Sequence, residues 1–303
     1  MTHQPIQLGL VGAGAWGRHF IDTVGGLDDV RLRRLASHNP ASRDLIERYC
    51  TLHESWAEMI EAGALDGVII ATPPATHATI ATAALDRDLA VLIEKPLTLD
   101  LPEATALLDR AKTASAVALV NHTDLWNPAW QALKGRCAEL GRIRTMAGTW
   151  ANWGPFRPDT AGRWDYGAHA LAVCIDLADA EPNHVEARHL SHASGGELVE
   201  AVLSWDDGLI ATLRFGNASW SKARDLTVQG SAGTLRYDDL AAHKALLNGA
   251  AVSYSPARPL AAVVTRFVSA IRDQTVDMTS LDLGVSVVAT LARIDRALGI
   301  GRT

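Results

Sequence analysis

The sequence predicts an α/β protein whose two halves are built on different kinds of sheet. Over roughly the first 120 residues, short apolar runs alternate with helical stretches, which is the pattern of a doubly wound parallel sheet. From Arg142 onward the apolar runs are longer and are joined by turns, which indicates a largely antiparallel sheet. A chain of 303 residues, 48% of them hydrophobic, is long enough for two such domains. We place the boundary at this change of pattern, so that residues 1–121 form the first domain and residues 122–303 the second.

The predicted strands of the first half are short apolar runs that end in turn residues. They are residues 6–11, 30–36, 66–71, 91–93 and 117–120. Pro73-Pro74 follows the third run, and we predict an alanine-rich helix from there to about Leu85, because proline is well tolerated in the first helical turn. A helix over 100–114 separates the last two strands.

The second half contains two turn signals, each between two strand-like runs. Asp207-Gly208 is a strong hairpin signal, and residues 230–233 form a second glycine-containing turn. The paired runs are residues 198–205 with 209–215 and residues 225–229 with 234–237. Helices are expected around the two sheets near 165–179, 259–272 and 281–298.

A glycine motif at the end of the first strand indicates a dinucleotide-binding site. Its residues are Gly12-Ala13-Gly14-Ala15-Trp16-Gly17, and a helix is predicted to begin near Ala15. In this strand, glycine loop and helix, Gly12 permits the tight turn, Gly14 lets the backbone approach a pyrophosphate, and Gly17 allows the helix to pack on the strand. The phosphates then meet N–H groups at the positive end of the helix dipole. The alternative is a glycine-rich turn without a ligand.

The end of the second strand favours NADP over NAD, although NAD stays open. NAD-binding proteins place an Asp or Glu at this strand end for the ribose 2′-hydroxyl, and this chain has Ser37-His38-Asn39 instead. The serine removes a charge that would repel a 2′-phosphate, while His38 and Arg43 supply hydrogen bonds or positive charge. The alternative is that Ser37 and Asn39 only cap the next helix.

A lysine after the predicted strand 91–93 is the first candidate for chemistry. The strand leads into Glu94-Lys95-Pro96, so a cation lies at the carboxyl end of a parallel strand, where open α/β sheets place their active sites. A lone lysine at a strand end is more often a solvated surface charge. Its position between an acid and a proline favours a fixed side chain.

Composition and charge exclude several other classes of protein. The net charge of −6, without a basic cluster, argues against nucleic acid as a partner. Cys50, Cys137 and Cys174 are too widely spaced for a metal site or a disulfide framework, so we expect no metal and a reducing cytoplasm. The first strand begins by about residue 6 and no apolar run is long enough to span a bilayer, so neither a signal peptide nor a membrane is expected.

Four motifs follow one another in a distinctive order and spacing. They are residues 12–17, Ala71-Thr72-Pro73-Pro74-Ala75-Thr76-His77, Glu94-Lys95-Pro96 and Asp165-Tyr166-Gly167-Ala168-His169. Together they resemble the Gfo/Idh/MocA family of NAD(P)-dependent oxidoreductases. The resemblance spans essentially the whole chain and is strongest over residues 6–125. It implies a Rossmann domain followed by an α/β domain on an open, mostly antiparallel sheet. Because that sheet often carries subunit contacts in the family, the resemblance also implies a homodimer or homotetramer.

The resemblance assigns further cofactor contacts outside the loop after the second strand. They are the glycine loop from Gly12 to Gly17, Thr72, Pro73, Glu94 and Lys95. His77 has two interpretations: it borders the nicotinamide pocket, or it packs and hydrogen-bonds in the first helical turn.

The family's catalytic lysine corresponds to Lys95, and its Asp and His pair corresponds to Asp165 and His169. Oxidation of a secondary alcohol needs a base for the hydroxyl proton, and histidine titrates near neutrality, so His169 is the predicted base. The Lys95 ammonium would stabilise negative charge that develops on the oxygen. Asp165, four residues before His169, would share its helix face and orient or charge-balance the imidazole and the lysine. Tyr166 is the competitor for the acid/base role, since a phenol also passes protons.

Tryptophans and neutral polar groups favour a polyhydroxylated substrate. Five of the nine tryptophans lie between residues 126 and 164, and flat aromatic rings bind the apolar face of a sugar or a planar substrate. Core packing is the alternative for each of them. The predicted substrate contacts are His122, Trp126, Asn127, Asn152, Trp153 and Trp164. Relatives often carry an arginine after residue 120 and an aspartate where this chain has Ala172, and the missing arginine weakens the case for an anionic substrate.

Three functions stay open at this point. The first is an NAD(P)-dependent oxidoreductase of a sugar, cyclitol or related polyhydroxylated compound, which the complete set of Lys95, Asp165 and His169 favours. The second is an NADP-dependent enzyme of the same fold that acts on a non-sugar carbonyl, imine or aromatic aldehyde. The third is a non-enzymatic NADP-binding sensor, which would be expected to lack the lysine or the histidine.

Overall fold

A computed structural model describes residues 4–193 and 195–301. The chain forms two compact units, Met1–Asn121 with Leu260–Val285 and His122–Pro259 with Ser286–Thr303. The chain passes from the first unit to the second after Asn121, and residues 260–285 return to the first unit.

The first unit contains a parallel sheet, as predicted, and this sheet has six strands, one more than the five predicted. Its strands are β1 (Ile6–Val11), β2 (Val30–Ala36), β3 (Thr51–His53), β4 (Gly67–Ile70), β5 (Ala90–Glu94) and β6 (Ala118–Asn121). Their order is β3-β2-β1-β4-β5-β6, which is that of a doubly wound dinucleotide-binding sheet with its reversal between β1 and β4. The helices α1 (Ala15–Gly25), α2 (Trp56–Glu61), α3 (His77–Leu85) and α4 (Leu101–Ala114) follow β1, β3, β4 and β5. β4 and residues 90–93 of β5 are fully buried apolar runs, because helices cover both faces of such a sheet.

The second unit is built on an eight-stranded, mostly antiparallel sheet. Its strands are β7 (Ile143–Trp153), β8 (His184–Ala193), β9 (Gly196–Ser204), β10 (Ile210–Gly216), β11 (Ala218–Gly230), β12 (Thr234–Asp238), β13 (Ala245–Leu247) and β14 (Ala250–Ala251). Their order is β14-β13-β12-β11-β7-β10-β9-β8, and within it β7 and β10 run parallel. Both predicted hairpins are confirmed, as the antiparallel pairs β9–β10 and β11–β12.

Helix α6 (Gly162–Ala178) packs on this sheet, and the short helix α5 (Pro128–Lys134) precedes β7. Every residue of α6 from Gly167 to Ile175 is buried. A Cβ at Gly167 would lie 3.0 Å from the ring of Phe215 on β10, so glycine lets this helix approach the sheet closely. The first half of α6 contains the Asp-Tyr-Gly-Ala-His motif, which therefore lies in the second unit.

The last two helices explain why residues 260–285 join the first unit. Helix α7 (Pro259–Asp273) places the ring of Phe267 where a side chain on Gly67 of β4 would lie, and Arg272 forms an ion pair with Asp29 at 3.2 Å. Helix α8 (Thr279–Ala297) begins in the first unit, where the Ser280 hydroxyl accepts the Val120 amide at 2.9 Å, and ends in the second. These contacts join residues 243 and 160 positions apart, which local sequence patterns do not reveal. Within residues 4–193 and 195–301, no helix combines the length and the apolar character needed to cross a membrane.

Candidate active site

The glycine loop between β1 and α1 has the geometry that its motif predicts. Gly12 has a φ of 98°, and a Cβ there would lie 2.6 Å from the carbonyl oxygen of Ala71. A Cβ at Gly17 would lie 2.0 Å from the carbonyl oxygen of Gly12, because α1 packs directly on the turn. At Gly14 no atom lies within 4 Å of the Cβ position. Gly12 and Gly17 are therefore required by the fold, whereas Gly14 is where a ligand can approach the backbone.

The first turn of α1 suits a phosphate group. Gly14 is its N-cap and supplies no side-chain hydrogen bond, and the first turn contains no acidic residue. The N–H groups and the positive helix end thus meet no anion from this turn, which favours a bound pyrophosphate. Ala13 and Trp16 are half-buried and Ala15 is exposed, and Trp16 meets His19 edge-on with ring centroids 5.6 Å apart.

Thr72 and Pro73, also predicted to contact the cofactor, follow β4. This strand end lies beside the glycine loop, since the Ala71 amide donates to the Val11 carbonyl at 2.9 Å. Thr72 is half-buried and accepts the Thr76 hydroxyl at 2.7 Å, whereas Pro73 is exposed. Both residues therefore lie at the strand reversal where dinucleotides bind.

The residues predicted to distinguish NADP from NAD lie in the loop after β2. The Ser37 hydroxyl lies 2.8 Å from the Ser42 hydroxyl and accepts the Asn39 amide at 3.2 Å. Asn39 caps the short 3-10 helix Pro40–Leu45, as the alternative interpretation expected, and His38 is exposed. The loop is thus shaped by neutral hydrogen bonds and presents no carboxylate at Ser37.

Arg43 was predicted to offer its charge to a 2′-phosphate, but its contacts in the structure are with its own loop. Its guanidinium donates to the carbonyl oxygen of Cys50 at 2.5 Å and to that of Glu47 at 2.8 Å. These bonds use two of the five N–H donors of the guanidinium. The structure therefore gives Arg43 the role of closing its own loop.

Lys95 lies at the carboxyl end of β5, and only 7% of it is exposed. The preceding Glu94 is buried and accepts the side-chain amide of Asn121 at 2.5 Å, because these two residues are paired across β5 and β6. The backbone amide of Lys95 lies 3.3 Å from the other Glu94 oxygen. A buried carboxylate bonded to two strand ends therefore fixes the backbone that carries the lysine.

His77 joins the loops that follow β4 and β5. It has no exposed surface; its Nδ1 lies 3.0 Å from the carbonyl oxygen of Pro96 and 3.3 Å from that of Leu97, and its Nε2 lies 2.9 Å from that of Thr72. Burial lowers the pKa of His77, the three carbonyl contacts oppose this shift, and the charge of Lys95 adds to it. Because no surface of His77 is left for a cofactor, the structure supports the packing interpretation over the nicotinamide pocket.

In the second unit, His169 on α6 meets a buried carboxylate that the sequence analysis did not identify. Its Nδ1 lies 2.8 Å from Oδ2 of Asp124, in the 3-10 helix Thr123–Trp126 that precedes α5. The exposed fractions are 8% for His169 and 4% for Asp124. The carboxylate also accepts the Trp150 indole N–H at 3.2 Å and lies 3.3 Å from the Arg224 guanidinium. Donors from α6, β7 and β11 therefore converge on Asp124.

These donors keep Asp124 ionised. Burial alone raises the pKa of a carboxyl group, but the charge and hydrogen bond of His169, the charge of Arg224 and the N–H of Trp150 together hold the pKa of Asp124 well below its usual range. Hydrogen bonds from charged donors to a carboxylate are among the strongest in proteins. Asp124 therefore carries a negative charge at neutral pH.

Arg224 connects Asp124 to a second acid. Its guanidinium lies 3.8 Å from Asp239, and Asp239 accepts the Lys244 ammonium at 2.9 Å. Two carboxylates thus face two cations, and the cluster has no net charge when the imidazole is neutral. Among residues 4–193 and 195–301, no group of three or more His, Cys, Asp or Glu side chains is arranged to hold a metal ion.

Asp165 and Tyr166 lie one turn before His169. Asp165 is half-buried in the first turn of α6, where a negative charge is favoured. The Tyr166 hydroxyl donates to the Gly154 carbonyl at 2.7 Å, and its pKa is raised by burial and by the charge of Asp165, while a hydrogen bond with Asn152 opposes the rise. The phenol is therefore protonated at neutral pH and holds the loop after β7 against α6.

Two residues predicted to contact substrate use their polar groups within the fold. Asn127 caps α5 by accepting the Ala129 amide at 3.0 Å, and its side-chain amide donates to Asp239. Trp164 is buried, and its indole N–H donates to Asp295 on α8 at 3.0 Å. Neither offers these groups to a substrate, because replacing such buried bonds is costly.

The other predicted substrate residues differ in exposure. His122 is buried, whereas Trp126 and Asn152 are half-buried. Trp153 stacks on Trp220 of β11 with ring centroids 4.1 Å apart and planes within 12°. Trp220 is 86% exposed, so its outer face is open to solvent. Of the five clustered tryptophans, Trp130, Trp150 and Trp164 lie in the core, as the packing alternative expected.

The sequence analysis missed Asp124, Arg224 and Trp220. Asp124 lies 100 positions from Arg224, and their contact depends on the register that pairs Arg224 with Trp150 across β11 and β7. The predicted strand began at residue 225, whereas β11 begins at Ala218. A longer strand would have placed Arg224 on the same inward face as the apolar residues 226 and 228, where an arginine needs a partner.

Known proteins resemble this chain in sequence and in fold. The family model GFO_IDH_MocA, an oxidoreductase family with an NAD-binding Rossmann fold, matches residues 6–122. A solved structure from Magnetospirillum magnetotacticum MS-1, described as an oxidoreductase without a named substrate, has a TM-score of 0.90 at 38% identity and covers 96% of this chain and 99% of its own.

Two curated relatives have named roles. UDP-N-acetylglucosamine 3-dehydrogenase of Acidithiobacillus ferrooxidans is 28% identical over 235 residues, which are 74% of this chain and 71% of that protein. Rhizopine catabolism protein MocA of Rhizobium meliloti is 36% identical over 186 residues, which are 59% of each protein. The motifs, the sheet order and the match to the family model lead to one conclusion: residues 6–122 belong to the Gfo/Idh/MocA family of oxidoreductases and form its NAD(P)-binding Rossmann fold.

Proposed function

We propose that the protein transfers a hydride between NADP(H) and a secondary alcohol or carbonyl carbon of a sugar, cyclitol or related polyhydroxylated compound. The observation that carries this proposal is the contact of His169 with the ionised Asp124, on the helix that the family motif marks. A nearly buried imidazole beside a fixed negative charge can take up a proton and return it. A sensor would have no need of such a pair.

In the proposed reaction, the proton and the hydride of the alcohol go to two different acceptors. In the oxidation, the hydroxyl proton goes to His169, the carbon loses its hydrogen with two electrons, and the C–O bond becomes C=O. The bound nicotinamide supplies the acceptor for that hydride. The ammonium of Lys95 is proposed to stabilise negative charge on the oxygen as the proton leaves. Asp165 is proposed to balance the positive charge, and reduction uses the same groups in reverse.

The charges of the second unit favour a neutral, hydroxylated substrate. An arginine near the candidate base would suit a carboxylate or phosphate, but the charge of Arg224 is already matched by Asp124 and Asp239. The stacked pair of Trp153 and Trp220 offers a flat aromatic surface of the kind that binds a sugar ring. One of the relatives is UDP-N-acetylglucosamine 3-dehydrogenase, which is compatible with a sugar ring in the substrate, although the diphosphate of that relative's substrate is charged.

NADP remains the proposed cofactor, with NAD as the alternative. The proposal rests on Ser37, which leaves the strand end after β2 without the carboxylate that selects a ribose 2′-hydroxyl. The loop's hydrogen bonds to Ser37 are neutral, so nothing in them repels a phosphate. Arg43 adds no support, because its guanidinium is bonded to its own loop.

The experiment is a substrate screen that follows NADPH absorbance. Purified protein with NADP⁺ is offered sugars, cyclitols and sugar nucleotides, and in parallel aromatic aldehydes, imines and non-sugar carbonyls are offered with NADPH. Turnover of a polyhydroxylated compound, lost in Lys95→Met, supports the proposal. Turnover confined to the second group would transfer the function to the non-sugar alternative, and no turnover with tight NADPH binding would indicate a sensor.

A further inference from the structure

We infer that Asp124 is the positioning residue of His169: it keeps a proton on Nδ1, so that Nε2 is the ring nitrogen that exchanges a proton with the substrate. The inference rests on the acid/base role proposed for His169 and adds a residue to that function. It follows from the chemistry of the carboxylate, from its anchoring and from its place in the fold.

The chemistry of the contact fixes the tautomer of the imidazole. An ionised carboxylate has no proton to donate, so the 2.8 Å contact between Oδ2 of Asp124 and Nδ1 of His169 is a hydrogen bond only if Nδ1 carries the proton. A neutral imidazole has one N–H, and Nε2 is then the nitrogen with the lone pair. A base that acts through Nε2 would be present in one form rather than in two.

The carboxylate is held so that it cannot rotate away from the imidazole. Trp150 donates to the same oxygen as His169, at 3.2 Å, while Arg224 lies against the other oxygen at 3.3 Å. Trp150 is a core residue of β7, and Arg224 on β11 is itself held by Asp239. Two strands of the sheet therefore fix both oxygens, and the sheet supports the geometry of a side chain on α6.

This arrangement divides a role that the sequence analysis gave to Asp165 alone. Asp165 and His169 share a helix face, and Asp165 was predicted to orient or to charge-balance the imidazole. In the structure, Nδ1 is bonded to Asp124, so orientation falls to Asp124 and charge balance to Asp165. Asp124 contacts the imidazole directly, Arg224 on β11 lies against the other oxygen of Asp124, and Asp165 lies on α6 itself, four residues before His169.

Asp124→Asn should impair the proton transfer more than binding. An amide presents both a donor and an acceptor, so it no longer selects one tautomer, and its loss of charge no longer favours the protonated imidazole. We expect kcat to fall roughly 100-fold, at the low end of what general acid–base catalysis contributes, with the Kd of NADPH changed less than about twofold. The acid limb of the kcat/KM profile should move to lower pH. Asp124→Glu, which keeps the charge, should recover part of the rate.

The decisive test is the ring spectrum of His169 in the wild-type protein. Protein labelled with ¹⁵N in its histidine rings gives a tautomer-specific pattern for each of its 11 histidines, and His169→Gln assigns the signal by its loss. The inference expects the Nδ1–H form above the titration of this histidine, and a weakened preference for it in Trp150→Phe, which removes one anchor of Asp124. An Nε2–H form or an even mixture in the wild type would overturn it.

The two proposals fail in different ways. If the Nδ1–H form is found and His169→Asn keeps its turnover, then the base is wrong and the proposed function must be revised, while the contact itself stands. If His169→Asn is inactive but Asp124→Asn has the rate and pH profile of the wild type, the positioning role is refuted although the base is correct. The spectrum needs no substrate, so it can be read before the screen succeeds.

Discussion

Gly14→Ala should weaken cofactor binding without unfolding the protein, whereas Gly17→Ala should destabilise the fold itself. No atom lies within 4 Å of a Cβ at Gly14, and its φ of −68° is one that alanine adopts. At Gly17 the Cβ would lie 2.0 Å from the carbonyl oxygen and 2.8 Å from the carbonyl carbon of Gly12. Both contacts are with backbone, so relief requires α1 to move away from the turn.

The expected magnitudes follow from these distances. An alanine at the N-cap position of Gly14 should cost less than about 1 kcal/mol of folding stability. Its methyl group, however, occupies the approach to the backbone that a pyrophosphate needs, so the Kd of NADPH should rise at least about tenfold, or ~1.4 kcal/mol. Gly17→Ala overpacks a rigid contact, and we expect the free energy of unfolding to fall by about 3 kcal/mol, the upper end of ordinary overpacking.

The assay combines urea denaturation without cofactor and calorimetric titration with NADPH. Gly25→Ala is the matched control, because it lies in the last turn of the same helix and its Cβ would meet no atom within 4 Å. That control should bind NADPH as the wild type does and be as stable or about 0.5–1 kcal/mol more stable. Normal NADPH affinity in Gly14→Ala, or a Gly17→Ala protein as stable as the control, would refute this account of the loop.

Three further predictions concern other residues. Ser37→Asp should reverse a preference for NADPH over NADH, as calorimetric titration of both cofactors would show; NADH bound at least as tightly by the wild type would contradict the premise. Lys95→Met should lower kcat by more than about tenfold, or ~1.4 kcal/mol of barrier, while NADPH affinity stays near that of the wild type, and a smaller loss would exclude the electrostatic role. The folded state lowers the pKa of Asp124, so the ionised carboxylate stabilises the folded protein above the ordinary aspartate pKa of about 4. This contribution to the free energy of unfolding is lost as the pH falls below that value. Chemical denaturation should therefore show a flatter decline in stability below about pH 4 for Asp124→Asn than for the wild type, and equal slopes would contradict the shift.

Local signals predicted well the features that consecutive residues encode. The glycine loop, the strand that leads into Lys95 and the two hairpins of the second unit's sheet depend on neighbours in the sequence, and the structure has each of them where the patterns place it. Such features rest on backbone conformation and short-range turns. They need no knowledge of which strands pair.

Long-range contacts account for what the sequence did not reveal. Asp124 and Arg224 meet only because β7 and β11 pair in one register, and α7 joins the first unit through packing on a strand almost 200 positions earlier. Arg43 and Trp164 carry N–H groups that could bind a ligand, but in the structure these groups donate to nearby carbonyl and carboxylate oxygens. The residue type shows which chemical group is present. Its burial and its hydrogen-bond partners decide whether that group is still available to a ligand.

The central claim is that His169 is the acid/base of an NADP-dependent oxidoreductase. The most direct measurement is the pH dependence of kcat/KM for the wild type, His169→Asn and Tyr166→Phe, with the first substrate that the screen identifies. Tyr166 is the informative comparison, because its hydroxyl donates to Gly154 and its pKa is raised. We predict that His169→Asn loses at least about 100-fold in rate together with the ionisation near neutrality, while Tyr166→Phe keeps both within about tenfold. An active His169→Asn with an unchanged profile, beside an inactive Tyr166→Phe, would contradict the account and give the proton transfer to the tyrosine.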